Sequence, residues 1–403
     1  MKKKILLFFV LLVPCFAEIL ETEGRGFLEI TNSQRVLHLT GGPYEMGYQH
    51  GKLMSHEIHE NIEKYLNGSD ALKSEKTSKF SNFIPNLLSY LPKKYQEEMQ
   101  GVADGANVDI EKIVLLNLFP EMFHCSAITA KDKATADGNL YHARVLDYSI
   151  GKGLQKSAVI IVQKPNNANS FVNISYAGFI GSVSGMNNKK ISIGEIGAQG
   201  YGNWNGMTMT FIMREILESA SSLAMAKKII QNEKRTCNYF YIVSDGKTNK
   251  SFAAFATPEK VSFIKPGTNY KFSAFEDDDI EVENPFFETA NEKIYIDQSV
   301  KASQDDKTLI VLQGQHRDTL SLTGFNYKPY PILYQRLAKH FGSINEETII
   351  EIIKRPVARK SNLHNVIFLP FKGDFWVAHA GENNEPACDQ NYFRLNIFEL
   401  LQR

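Results

Sequence analysis

The sequence predicts a layered α+β fold, and three observations carry that expectation. Residues up to about Phe119 read as mainly helical after two opening strands. From Cys125 onward the hydrophobic period shifts toward two, the spacing of a strand. Runs of strands then stand beside separate runs of helices, which favours layered sheet packing over a doubly wound parallel sheet.

Each element follows from local chemistry. Phe27, Leu28, Ile30, Val36, Leu37 and Leu39 suggest two short strands over 26–40, ending at the turn Gly41-Gly42. Pro43 suits the first position of a helix carrying Met46, Leu53, Ile58, Ile62 and Leu66, because its missing N–H is not needed there. A lysine- and serine-rich loop is expected over 67–81, followed by helical pattern through Leu87, Leu88, Leu91, Met99, Val102, Ile110, Ile113 and Leu116. Strand runs follow at Ser126–Thr129, Leu140–Leu146, Ala158–Gln163, Phe171–Tyr176 and Ile191–Gly194. Helices are expected at Thr208–Ala220 and Leu223–Asn232, then a strand at Tyr239–Ser244 closed by the turn Asp245-Gly246. The acidic stretch Glu276 to Asp279, with Glu281 and Glu283, reads as a solvated loop. Helices at 330–341 and 345–354 precede final strands at 363–370, 374–379 and 392–398.

The 403 residues, 43% hydrophobic, can bury a full core as one large domain or two ordinary ones. Lys and Arg number 45 and so do Asp and Glu, so no net field gathers phosphate polymers or anionic lipid, and nucleic acid is not an expected partner. Met1-Lys2-Lys3-Lys4 followed by the apolar run Ile5 to Val13 has the form of a secretory signal peptide, residues 1–17, cut after Ala17. Cys15 offers a lipid-attachment site as an alternative, which Pro14 just ahead of it matches poorly. No segment reaches membrane-spanning length, so the expected mature protein is secreted or periplasmic. It keeps Cys125, Cys237 and Cys388, an odd number, and one thiol must stay unpaired: reactive, or inert and buried.

Chemistry concentrates around Cys125. Phe123-His124-Cys125-Ser126-Ala127-Ile128-Thr129 starts a strand with a thiol, Asp137-Gly138 turns the chain, and Tyr141-His142-Ala143-Arg144-Val145-Leu146-Asp147-Tyr148 returns it. Pairing would bring Arg144 and Asp147 back toward Cys125. A thiol is a poor nucleophile until it ionises, so a neighbouring cation or base is needed. Arg144 could lower its pKa, and Asp147 could orient Arg144 or hold an ammonium group. The alternative is an arginine and an aspartate on opposite faces of a strand, merely solvated.

The segment resembles the nucleophile hairpin of N-terminal-nucleophile amide hydrolases, specifically the penicillin acyltransferase family and its relatives acid ceramidase, N-acylethanolamine hydrolase and bile-salt hydrolase. In that family a Cys is followed by a marked turn and an Arg-x-x-Asp pair, which Arg144 and Asp147 match. Gly41-Gly42-Pro43-Tyr44-Glu45-Met46-Gly47-Tyr48-Gln49-His50-Gly51 resembles its opening helix. Tyr176-Ala177-Gly178-Phe179-Ile180-Gly181 leading to Ser184-Gly185-Met186-Asn187, Thr236-Cys237-Asn238-Tyr239, and Ser361-Asn362-Leu363-His364-Asn365 with Phe375-Trp376-Val377-Ala378 resemble later motifs. Arg144-Val145-Leu146 departs from the Arg-Asn common in relatives, which weakens substrate inference more than reaction class.

The resemblance implies a four-layer αββα sandwich: a pro-derived chain of residues 18–124, mainly helical, staying associated with a catalytic chain of residues 125–403. It implies self-cleavage between His124 and Cys125, a catalytic Cys125 whose freed α-amine is the base, Asp147 holding the ammonium form, Arg144 ordering the site, and Asn238 and Asn187 as oxyanion donors. The implied substrate is a linear, non-peptide N-acyl amide, with no cofactor and no metal. His56 and His59 are three apart, not the four of a helical zinc motif, and Gly200-Tyr201-Gly202 with Gly206 lacks the dinucleotide spacing. Two alternatives stay open: a Cys-His peptidase using His50, His142, His316, His364 or His379, and an uncleaved acyl-binding protein on the same scaffold.

Overall fold

The computed structural model describes residues 17–67, 84–118, 124–197, 205–266, 270–273, 286–289, 292–295, 309–312, 318–323 and 330–403. Residues 1–16 of the expected signal peptide, the 67–81 loop beyond Asn67, the acidic stretch, His316 and Gly200-Tyr201-Gly202 lie outside the described residues.

The strands form two stacked sheets. The larger joins β1 (Glu18–Glu23), β2 (Gly26–Thr31), β3 (Gln34–Gly41), β6 (Ala158–Pro165), β7 (Phe171–Tyr176), β8 (Ser184–Asn187), β9 (Ile191–Gly197), β10 (Tyr239–Asp245), β11 (Lys250–Ala256) and β12 (Val261–Ile264), in that spatial order. Only β3 and β6 run parallel. The smaller is antiparallel: β17 (Thr319–Thr323), β4 (His124–Ala130), β5 (Tyr141–Asp147), β18 (Asn362–Leu369), β19 (Asp374–His379) and β20 (Phe393–Asn396). Four short strands, β13 to β16 between Tyr270 and Leu312, pair two by two outside both sheets.

Three cores show four layers. Between the sheets, Val36, Ile160, Val162, Val172, Ile174 and Met186 of the larger meet Val366, Phe368, Phe375 and Val377 of the smaller. The alternate residues of the same strands, Leu37, Leu39, Val159 and Ile161, face helices α1 (Pro43–Leu53), α2 (Ser55–Ile62), α3 (84–90), α4 (Lys93–Ala106), α5 (Ile110–Leu118), α6 (Met209–Ser219) and α7 (Leu223–Asn232). On the far side, Ile128, Ala143, Val145 and Ile367 face α8 (Tyr330–Lys339) and α9 (Glu346–Ile353). The αββα sandwich is therefore the observed architecture. Both faces of the central strands are covered, so Ile160-Ile161-Val162 is an unbroken apolar run with no polar alternation.

The first expected helix is broken: α1 ends at Leu53, α2 starts at Ser55, and a π-helical turn, Glu63–Asn67, follows. Gly47 and Gly51 of α1 face Gly101 and Gly105 of α4, where any Cβ would collide with the opposing backbone, so the helices approach more closely than larger residues would allow. Strand β1, β8 as a separate strand, and the hairpin β11–β12 are additions to the expected elements. The last expected strand stops at Asn396, where the Asn396 side chain caps a short helix, α10 (Ile397–Leu400).

Candidate active site

Cys125 is the second residue of β4 and 1% exposed. Alternation points its side chain toward the larger sheet, while Ile128 and Ala130 point to α8 and α9. The β4–β5 register places Cys125 opposite Leu146, His124 opposite Asp147 and Ala127 opposite Arg144. Arg144, fully buried, reaches diagonally along that face and donates from a terminal nitrogen to Cys125 Sγ at 3.0 Å.

The sequence reasoning missed the third member. Glu195, fully buried on β9 of the opposite sheet, accepts from Cys125 Sγ–H at 3.3 Å and forms a close ion pair with Arg144. Its backbone carbonyl takes the Arg144 Nε–H at 3.3 Å, and its Oε2 has no hydrogen-bond partner among the described residues. The expected strand Ile191–Gly194 stopped one residue short of it, and a glutamate set in the continuing run Gly194-Glu195-Ile196 was the available signal. Gly194 beside it lets Arg144 cross: a Cβ there would lie 3.1 Å from Arg144 Cγ and 3.2 Å from His142 Nε2.

Burial is the largest influence on each acid. It pushes the Cys125 thiol well above its ordinary range, against the pull of Arg144 and with the push of Glu195. It also raises Glu195 above the usual carboxylate range, opposed by Arg144. In the continuous chain the thiol is thus protonated and its proton points at a basic carboxylate, the pairing a nucleophile needs.

The other expected residues divide. Asp147, 2% exposed, ends β5 beside the His124–Cys125 peptide and accepts the Arg359 N–H at 3.0 Å. Among the described residues the hydrogen-bond partners of Arg144 are Glu195, Cys125 and His364. Asn238 sits just before β10, whose Tyr241 pairs with Glu195, and its side-chain amide has no hydrogen bond among the described residues. Asn187 is a correction: it is not brought to the sulfur. Its amide nitrogen donates to Leu217 O (2.9 Å) and Ala220 O (2.8 Å), and its oxygen accepts from Lys189 N and Ile191 N, so it pins a turn to the end of α6 with no polar atom left for an oxyanion.

Among the described residues no histidine hydrogen-bonds to Cys125 Sγ; His316, another candidate partner, lies outside them. His50 accepts the Gly178 N–H at 3.0 Å, His142 bonds Ser192, His379 bonds Gln34, and His364 bonds Arg144. His56 lies beside Glu60, and His59 bonds the Ser55 carbonyl on α2. Cys125, Cys237 and Cys388 are all buried, and none of the three is in a disulfide.

The two-sheet αββα sandwich is the architecture that the resemblance to N-terminal-nucleophile hydrolases implied. The family model for acyl-coenzyme A:6-aminopenicillanic acid acyl-transferase matches residues 134–384, and the chain belongs to that family. The match takes in Arg144, Asp147, Glu195 and Asn238 and begins after Cys125. Protein dcd1B of Dictyostelium discoideum is 28% identical over 247 residues, covering 54% of this chain and 49% of that protein. Acid ceramidase of Rattus norvegicus is 27% identical over 193 residues, covering 41% and 48%. A solved structure, the Caenorhabditis elegans N-acylethanolamine-hydrolyzing acid amidase ortholog, aligns over 61% of this chain and 93% of its own with a TM-score of 0.40 and 13% identity. The chain spans about half the length of the curated relatives it matches. Among the described residues no helix is long and apolar enough to cross a membrane.

Proposed function

We propose that this protein is an exported amidohydrolase or acyltransferase that cleaves itself between His124 and Cys125 and then acts, through Cys125, on a linear C–N amide of a small N-acyl compound. The observation that carries the reading is a buried sulfur at the head of β4 whose two hydrogen-bond partners are an arginine and a glutamate from facing sheets.

In maturation Glu195 takes the thiol proton and Sγ attacks the His124 carbonyl carbon. The C–N bond breaks, the proton passes to the departing nitrogen, and water hydrolyses the thioester to free the His124 carboxylate and the Cys125 α-amine. That amine has a reference pKa near 8, so it can take the thiol proton at working pH. Asp147, across from His124, holds its ammonium form. The thiolate then attacks the substrate carbonyl, Asn238 donates to the oxyanion, the leaving amine collects the proton, and water or a second amine resolves the thioester.

The N-terminal part is expected to stay bound after the cut. Strand β3 pairs with β6 inside the larger sheet, and buried Glu98 of α4 pairs with buried Arg214 of α6 at 2.8 Å. Arg214 also pairs with Glu218 at 2.7 Å. A denaturing gel of purified mature protein tests the reading. Wild type should give two fragments, the larger beginning at Cys125 by N-terminal sequencing, and Cys125→Ala one intact chain; a single wild-type band in active material sinks it. A panel of N-acyl amides, β-lactams and bile-salt conjugates then assigns the acyl and amine groups.

A further inference from the structure

We propose that His364 is the positioning residue that holds the Arg144 guanidinium against Cys125, and that Tyr176 selects the imidazole tautomer that lets it do so. The proposal rests on the reading of Cys125 as the nucleophile.

Arginine only donates, so the 3.1 Å contact from the second terminal nitrogen of Arg144 makes His364 Nε2 an acceptor. The ring proton is then on Nδ1, where the Tyr176 hydroxyl receives it at 2.8 Å. The Ser184 hydroxyl stands 3.0 Å from Nε2 and closes the pocket. His364 is fully buried; burial first, then Arg144 and His379, hold its pKa well below the ordinary histidine range, so it stays a neutral acceptor. One terminal nitrogen of Arg144 therefore faces the sulfur and Glu195, while the other is anchored by His364 from β18, far along the chain. Without that anchor a buried N–H loses its partner and Glu195 alone sets the direction of the guanidinium.

The groups facing this cluster are otherwise few. Sulfur meets Arg144 and Glu195, with Asp147 acting at longer range. His364 meets Arg144, Tyr176, Ser184 and, ring to ring at 6.1 Å, His379. Tyr176, accepting from the ring, keeps its own proton free, and Cys125 is among the groups acting on it.

The test compares full-length His364→Leu, His364→Gln and Tyr176→Phe with wild type. Thiolate formation at Cys125 is read as ultraviolet absorbance across pH against Cys125→Ser, alongside the splitting rate on gels and thermal melts. His364→Leu, which removes the acceptor, should raise the apparent thiol pKa by about one unit and slow splitting roughly tenfold. The amide oxygen of Gln can accept from Arg144, so His364→Gln should recover most of both, and Tyr176→Phe should shift both in the Leu direction. A folded Leu variant with the wild-type titration overturns the proposal, as does a Gln variant no better than Leu. If the Leu protein does not fold, an unshifted titration in Tyr176→Phe overturns it. If wild type is never split, the nucleophile reading fails separately, while the titration still reports Arg144's hold on the sulfur.

Discussion

Replacing Glu195 with Gln separates the two roles the geometry gives that side chain. The substitution keeps shape and leaves an oxygen to accept from Arg144, but it removes a negative charge 3.3 Å from Sγ. At an effective dielectric of about 20, a unit charge at that distance is worth about 5 kcal/mol, or between about three and four pH units on the thiol, as a ceiling. Arg144 already neutralises part of that charge, so the expected fall in the Cys125 pKa is about one to three units. Maturation should move the other way: the carboxylate that takes the thiol proton is gone, and the splitting rate should drop by about 10² or more. The assay is the thiolate absorbance titration paired with a timed denaturing gel. A thiol pKa that is unchanged or higher refutes the electrostatic account, and unimpaired splitting refutes Glu195 as the base.

Three further outcomes follow from the same structure. Asn238→Ala should cut turnover of a responsive N-acyl amide by about 10², or about 3 kcal/mol of transition-state stabilisation, in protein that melts like wild type. Asn187→Ala, losing four hydrogen bonds of a buried turn, should instead lower unfolding stability by about 2–4 kcal/mol in denaturant titrations while leaving turnover per folded molecule intact. Acid should also destabilise the chain. His50 and His142 are pushed down to about 3 and His379 to about 4 by burial, with His364 lowered as well. The unfolded chain binds those protons below about pH 6.5 and the folded chain does not, so each contributes a loss of up to about 1.4 kcal/mol per unit as pH falls toward 4. Glu98, Glu195 and Glu233, raised by burial, oppose this, but burial lowers His38 too, and three groups do not cancel five. Denaturant midpoints that stay level between about pH 6.5 and 4.5 would contradict it.

Taken by itself, the sequence determined whatever depends on neighbours along the chain. Period two after Cys125 marked β4 and β5, and the Asp137-Gly138 turn between them set Arg144 on the Cys125 face. Pro43 marked the start of α1, and α7 ran over the expected Leu223–Asn232. Break points such as Met54 were not legible, because helical periodicity continues through them and the packing of α1 against α4 decides where the chain bends.

Tertiary structure alone decided which distant side chains meet. Glu195 is 70 residues from Cys125 and reaches it because two sheets stack face to face, while His364, 220 residues from Arg144, reaches it because β18 pairs beside β5 in the smaller sheet. Asn187 shows the converse: its motif suggested catalysis, yet the end of α6 and its own turn take all its hydrogen-bonding capacity. Strand alternation tells which face a residue occupies; what lies across that face is set by how the layers close, and no local pattern encodes it.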